Sequence, residues 1–334
     1  MGAAAAALTP AVPAFGGTRH IARITTSGTS LRAFGAPFPM YGASVYGQID
    51  TAAKRAAVID LALQGRLNTV RVVNWLHENS TTPDTAAYDS TRWKHCDALI
   101  AAASRAGLRV ILDLSTYRNL LLNGGKVNPY GRTQYPRWEK FIAWVLNRRN
   151  SVTGATYAND PTIAYVAIAG EPAAPKGGDA LRPTTAELTA FYKRAAAKIR
   201  AKSRVLICPG GFLFLDWDSG IDWKAIGADA SIDMLALHPY SDGDRRISVP
   251  AMGAWSAAVN KPWLMEEFGA EVGRTTDADR AALFQNAYDQ ADTHSAAAAA
   301  FWNLGPATTG ATYDVNTAHP VTWATVRANS SKGT

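Results

Sequence analysis

The sequence predicts a single (β/α)8 barrel with a β-hairpin on its N-terminal side. Eight short apolar runs alternate with longer segments of helical periodicity between residues 40 and 303. A parallel sheet closed by crossover helices imposes this pattern. An open, doubly wound sheet would need fewer strands and usually begins with a glycine-rich turn, which is missing here. No repeat or linker divides the 334 residues, so the chain reads as a leader over 1–15 and one barrel over 16–330.

The opening MGAAAAALTPAVPAF is small, apolar and interrupted by proline, and reads as a flexible leader. It lacks the basic segment that begins a signal peptide. The expectation is a secreted protein whose signal is not part of this chain. Next, RHIARITTSGTSLRAFGAPFPMYG alternates and turns at Gly-Thr, as a hairpin does. Strands are expected at 40–45, 68–73, 109–114, 163–169, 204–208, 233–238, 263–267 and 298–303. Helices are expected at 51–64, 86–106, 134–148, 186–201, 249–259 and 277–292, with a short one at 221–227. The eighth strand rests on its place in the series, because its alanines favour helix.

A hydrophobic share of 47% against 18% charged residues allows a sizeable core and argues against wholesale disorder. The net charge is +7, but Lys and Arg are scattered and are densest at pairs such as Arg148-Arg149 and Arg245-Arg246. That is a solvated basic surface rather than a nucleic-acid footprint. No apolar stretch reaches the roughly 18–20 residues of a membrane span. A monomer that binds neither nucleic acid nor membrane is expected. Cys96 and Cys208 have no metal-binding spacing and read as buried hydrophobes rather than a disulfide. The six histidines form no HxH or HExxH pattern, and GxSxG, GxGxxG and Walker sequences are missing. These features argue against zinc, serine-nucleophile and nucleotide chemistry, so no metal or cofactor is expected.

In such a barrel the chemistry sits where the strands end. The second strand carries Arg71 and leads to Asn74 and Trp75. The third leads to Asp113, Ser115 and Tyr117, and the fourth to Glu171. The sixth leads to His238 and Tyr240, the seventh to Glu266 and Glu267, and the eighth to Trp302 and Asn303. Any one of these is as readily structural as functional, but their convergence on one face points to a site. Two carboxylates across a cleft suit glycoside cleavage. One attacks the anomeric carbon, and the other keeps a proton for the departing oxygen. Arg71 would hold the nucleophile ionised, Tyr240 would donate a hydrogen bond to it, and Trp302 would offer an apolar platform to a pyranose. Strand alternation groups Met265 with Glu267, and Leu264 with Glu266 and Phe268, and leaves open which set faces inward.

The order Arg after NTV, then GEP, HPY, EEFG and FWN resembles glycoside hydrolase family 5, of the retaining barrel clan. The phrases VLNRRNSVTGATYANDPTIAYVAIAGEP and KPWLMEEFG are most similar to its β-mannanase-type members. The likeness runs from about residue 22 to 327. It implies a retaining hydrolase of a β-linked oligo- or polysaccharide, with β-mannan or β-mannoside favoured. By motif, Glu171 matches the acid/base and Glu267 the nucleophile. Arg71, His238, Tyr240 and Trp302 match the supporting shell, and Glu266 is then expected to face the helical layer or the rim. Trp75 and Tyr117, at the exits of strands two and three, complete the substrate-binding candidates. Two departures stand out. The family writes Asn-Glu-Pro where this chain has Gly170-Glu171-Pro172, and DLSTYRN replaces its histidine after strand three. The first removes a partner for the sugar's 2-hydroxyl. The alternatives are therefore a less common glycoside admitted by Gly170, and a carbohydrate-binding barrel without catalysis.

Overall fold

The strands of the barrel, in chain order, are β1 (Met40–Tyr46), β2 (Thr69–Val73), β3 (Arg109–Asp113), β4 (Ile163–Ala167), β5 (Leu206–Cys208 with Gly211–Phe212), β6 (Leu235–Leu237), β7 (Trp263–Met265) and β8 (Ala298–Phe301). The computed structural model describes residues 21–172, 181–213 and 220–333. The leader expected over 1–15 lies outside them. All eight expected strands form, including the alanine-rich eighth.

Neighbouring strands pair in parallel, and β8 pairs with β1 through Ala298–Met40 to Phe301–Ala43. The sheet closes through β5, which is interrupted at Pro209-Gly210. Leu206–Cys208 pairs with β4, and Gly211–Phe212 pairs with β6. Glycine is required at this interruption. Gly210 has φ +99°, and a Cβ there would lie 2.5 Å from the Gly170 nitrogen. A Cβ on Gly211 would lie 1.9 Å from the His238 ring. The backbone of β5 thus passes directly beneath residues 170 and 238.

The core has two layers. One fills the space between barrel and helices, with Val70, Leu112, Ile142, Ile199 and Phe284 among its members. The other lies inside the barrel and includes Met40, Ile111, Tyr165, Ala236 and Leu264. Ile24, Leu31 and Ala33 belong to this inner layer. They come from the N-terminal hairpin of Thr25–Ser27 and Ser30–Ala33, which is extended by Ala36–Pro37 into a three-stranded antiparallel sheet. The hairpin therefore closes the barrel at the end opposite the strand exits.

The expected helices form, with three differences. The helix expected from 249 begins at Asp242, because Ser241 and Asp244 make a capping box, and Pro250 lies inside it. After β3 the chain turns at once into a helix, Ser115–Asn119, and a π-helical turn, Leu120–Gly124. The Asp113 carboxylate accepts the Ser115 N–H at 2.7 Å to start that turn. A final helix, Pro320–Ser330, begins with proline and docks on Asp277, whose carboxylate accepts the Val321 and Thr322 N–H groups. Cys96 and Cys208 are buried and free. Burial pushes the Cys96 thiol up to about 12, so it stays protonated. Among the described residues no helix is long and apolar enough to cross a membrane.

Candidate active site

The strand exits surround a cleft of about 530 Å³. Its floor is a buried charged cluster centred on Arg71, whose side chain points into the barrel from β2. The guanidinium donates to Glu267 Oε1, to Asp113 Oδ2 and, at 3.0 Å, to the Ser44 hydroxyl. It also lies 3.7 Å from Glu266 Oε2. Tyr240 donates its hydroxyl to Glu267 Oε2 at 2.7 Å. Glu267 is thereby held on both oxygens, and its carboxylate plane is fixed.

Glu171 stands opposite, at the exit of β4. Its backbone adopts φ +52°, and its N–H donates to the Gly211 carbonyl at 2.7 Å. Its side chain is 37% exposed to the cleft, whereas Glu267 is 6% exposed. One oxygen of Glu171, one of Glu267 and a ring nitrogen of His238 lie within 4.8 Å of one another. The imidazole joins two carboxylates, with Nδ1 2.8 Å from Glu171 Oε1 and Nε2 3.1 Å from Glu266 Oε2. The three donor atoms are close enough to hold a cation, but an imidazole hydrogen-bonded on both nitrogens has no lone pair to offer, and the Arg71 charge already lies against Glu267.

The electrostatics follow from this packing. Burial lowers the proton affinity of His238, but Glu267 and the hydrogen bonds to Glu171 and Glu266 outweigh it and raise the pKa to about 10. Glu266 is depressed to about 2, because Arg71 and His238 more than offset its burial. Burial and the neighbouring Glu171 raise Glu267, against the pull of His238 and Arg71. Glu171 is lowered: burial opposes ionisation, but the His238 hydrogen bond and charge and the more distant Arg118 prevail. At neutral pH, then, Glu171 is ionised and the imidazole carries the proton.

Arg71, Glu171, His238, Tyr240, Glu267 and Trp302 all line the cleft. Trp302 lies beside Tyr46, with ring centroids 5.6 Å apart. Trp75 and Tyr117 do not line it. Asn74 takes φ +48°, which breaks strand alternation and sends Trp75 into the core, edge-on to Trp93 at 5.2 Å. Tyr117 sits on the helix that follows β3, and that helix turns it onto Phe141 at 4.1 Å. The expected position of Glu266, facing the helical layer or the rim, is also corrected. The N–H groups of Glu266 and Glu267 both approach the Leu237 carbonyl, at 2.9 and 3.4 Å, so regular alternation ends there and both side chains point inward. Glu266 is buried, accepting from the Tyr165 hydroxyl at 2.6 Å and the Gly211 N–H at 2.8 Å.

Arg118 and Asn74, candidates by strand-end position to replace the hydrogen bond lost at Gly170, and Asn119, which was not expected, also belong to the site. Arg118 donates to the Gly170 and Glu171 carbonyls and so braces the β4 exit. Asn119 donates to Asn74 Oδ1 at 3.1 Å and to Glu78 Oε2 at 2.6 Å. The signal for both was the polar pair Arg-Asn in the short helix that follows β3. Gly170 faces the site: a Cβ there would lie 3.3 Å from the Gly211 nitrogen and 3.6 Å from His238 Cε1.

The family model for Cellulase (glycosyl hydrolase family 5) matches residues 31–308. Mannan endo-1,4-beta-mannosidase 8 of Oryza sativa subsp. japonica is 28% identical over 262 residues, 66% of this chain and 68% of the relative. Mannan endo-1,4-beta-mannosidase 2 of the same plant is 26% identical over 259 residues, 60% of this chain and 56% of the relative. Among solved structures, the endo-1,4-beta-mannanase from Rhizomucor miehei superposes with a TM-score of 0.78 at 24% identity, covering 93% of this chain and 100% of that one. An exo-beta-1,4-mannosidase from Opitutaceae bacterium strain TAV5 gives a TM-score of 0.65 at 17% identity, covering 92% of this chain and 62% of that one. At these identities the structural likeness is one of fold.

Proposed function

The chain belongs to glycosyl hydrolase family 5 and is a glycoside hydrolase, and from that premise we propose that it cleaves β-mannosidic bonds by double displacement with retention of configuration. Glu267 is the nucleophile. Arg71 and Tyr240 hold both of its oxygens, so that one lone pair can be aimed at the anomeric carbon. Glu171 is the acid/base, exposed to the cleft where the leaving oxygen would lie. The observation that carries the reading is the approach of oxygens from Glu171 and Glu267 within 4.8 Å. Retaining pairs have their carboxyls about 5–5.5 Å apart, and inverting pairs about 6.5–9.5 Å, to leave room for a water. The mannosidic preference is supported by the mannan endo-1,4-beta-mannosidase relatives. Trp302 and Tyr46, side by side at the mouth, supply an apolar face for a sugar ring.

Glu267→Gln is expected to lose several orders of magnitude in kcat/KM on β-1,4-mannan and on aryl β-mannosides. Glu171→Ala is expected to lose most on poor leaving groups and least on activated aryl glycosides, which depart without protonation. Proton NMR of the first product should show the β-anomer. An α-anomer appearing first, or full activity in either variant on mannan, overturns the mechanism. Release of nothing from any glycoside in a panel would make the chain a binding barrel.

Gly170 favours a second reading, a less common β-glycoside. The family carries Asn at this position, and here the space beside His238 Cε1 is open. Gly170→Asn needs no positive φ, but its Cβ would lie 3.3 Å from the Gly211 nitrogen, so that backbone must give by a few tenths of an ångström, and unfolding of the variant is measured beside its activity. If the ranking of sugars across an aryl-glycoside panel changes, Gly170 selects the sugar; an unchanged ranking removes this reading.

A further inference from the structure

We propose that Glu266 is a positioning residue that works through His238: with Glu171 it grips the two nitrogens of one buried imidazole, and the proton that Glu171 delivers to the leaving group is stored on that ring. This rests on the reading of Glu171 as the acid/base. The geometry is a continuous line of short contacts. Tyr165 donates to Glu266 Oε1 at 2.6 Å, and the Gly211 N–H donates to Oε2 at 2.8 Å. Glu266 Oε2 lies 3.1 Å from His238 Nε2, and His238 Nδ1 lies 2.8 Å from Glu171 Oε1. His238 and Glu266 are each 1% exposed, so no bulk water intervenes.

This arrangement answers a difficulty in the site. A general acid must enter the reaction protonated, yet the free Glu171 is held ionised. A proton midway along the Glu171–His238 contact has two homes. On Nδ1 it leaves a carboxylate beside an imidazolium. On Oε1 it leaves a carboxylic acid beside a neutral imidazole whose Nε2–H still donates to Glu266. Transfer breaks the Nδ1–H bond, forms the Oε1–H bond and creates no net charge. When the C1–O bond breaks, its electron pair goes to the leaving oxygen, which takes the Glu171 proton, while Glu267 forms a bond to C1. In the second step Glu171 removes a proton from the attacking water, and the ring nitrogen can take it back. The Glu266 carboxylate keeps a proton on the pair as pH rises.

Other charged and titratable groups face this line. Glu267 is 3.5 Å from His238 Nδ1, and Arg71 lies against Glu266, Glu267 and Asp113. Tyr240 donates to Glu267, Arg118 acts on Glu171, and the buried Cys208 thiol feels Glu266. None of them touches Nε2. Among the described residues only Glu266 places a negative charge there, and removing a negative charge lowers the proton affinity of the whole coupled group.

The test is Glu266→Gln, whose amide oxygen can still accept from Nε2–H, beside Glu266→Asp, which keeps the charge. For a substrate with a poor leaving group, the alkaline limb of kcat/KM should move down by about one pH unit or more in Glu266→Gln, a tenfold loss of proton affinity per unit. It should stay in place in Glu266→Asp. An activated aryl glycoside should show no such shift. Nitrogen NMR of the His238 ring should show both nitrogens protonated through neutral pH in the wild type and a titration at lower pH in Glu266→Gln. A wild-type ring that is neutral at pH near 7 overturns the proposal whether or not the variants fold. So does an unchanged alkaline limb in folded Glu266→Gln. If Glu171→Ala fails to separate poor from good leaving groups, the acid/base assignment itself has failed, a result distinct from either of these.

Discussion

Replacing Arg71 by Met tests whether the floor of the cleft is held by charge. The side chain is 3% exposed and serves Asp113, Glu266, Glu267 and Ser44. Methionine fills comparable space but leaves three buried carboxylates without their main counter-charge. Removing one partner of a buried pair costs about 3–5 kcal/mol. A figure of the same order comes from Glu266, whose fall from 4.5 to about 2 under Arg71 and His238 together corresponds to about 3 kcal/mol. The dependence on pH is the sharper signature. In the wild type the depressed Glu266 contributes stability that is present above pH 4.5 and is lost as pH falls toward about 2. In the variant His238 still opposes the burial of Glu266 and Glu267 but Arg71 no longer does, and their folded-state values rise. That protein is then favoured below the unfolded pKa and weakens as pH climbs through the raised values. The gap between the two should therefore be small near pH 2, open by about pH 4.5 and widen further toward pH 8. Urea unfolding across that range measures it. A deficit below about 1 kcal/mol at neutral pH, or one that stays flat with pH, would refute the claim that Arg71 compensates these carboxylates.

Three further outcomes can be checked. His238→Gln should narrow its stability deficit as pH rises. The raised His238 contributes stability that is fully present below its unfolded value of 6.5 and is lost as pH passes about 10, so chemical denaturation at neutral and alkaline pH should show the gap closing. Trp75→Ala should cost about 3–5 kcal/mol in unfolding free energy and leave KM unchanged, because Trp75 is a core residue. Trp302→Ala should do the reverse, raising KM on mannan oligosaccharides with little effect on unfolding. Equal effects of the two on KM would contradict their separate placement.

The barrel was legible because parallel strands buried on both faces read as continuous apolar runs. IAYVAIA and RVILDL needed no further information. The alanine run of β8 escaped propensity because it lies between β7 and β1 in the sheet, where position outweighs intrinsic preference. The carboxylates at the exits of β4 and β7 were legible by motif. What failed depended on single backbone events. A positive φ at Asn74 moved Trp75, a helix begun by the Asp113 side chain moved Tyr117, and two N–H groups sharing Leu237 brought Glu266 inward. No alternation rule contains such events: the Asp113 contact is local but ends the strand, and the Leu237 contacts reach across about thirty residues. The early start of the helix at Asp242 is different. Its capping residues, Ser241 and Asp244, stand in the sequence, and Pro250 is accommodated inside the helix.

The pairing of β8 with β1 has a consequence for timing. The Arg71–Glu267 contact spans 196 positions, and the strand that completes the sheet is the last to be made. Residues just past that strand fasten the seam: Leu304 donates to the Ser44 carbonyl at 2.9 Å, and Tyr46 donates to the Asn303 side chain at 3.0 Å. Ser44 in turn accepts from Arg71. A chain emerging from the ribosome therefore cannot close its ring until residue 301 is available, and until then its buried charges remain hydrated and apart. Contacts of such separation slow the search for the folded state, and the residues that fasten the seam also hold Ser44, one of Arg71's partners at the floor of the cleft. A chain cut short before β8 should show neither protease resistance nor residual hydrolysis, because no partial ring can hold Arg71 against its acids.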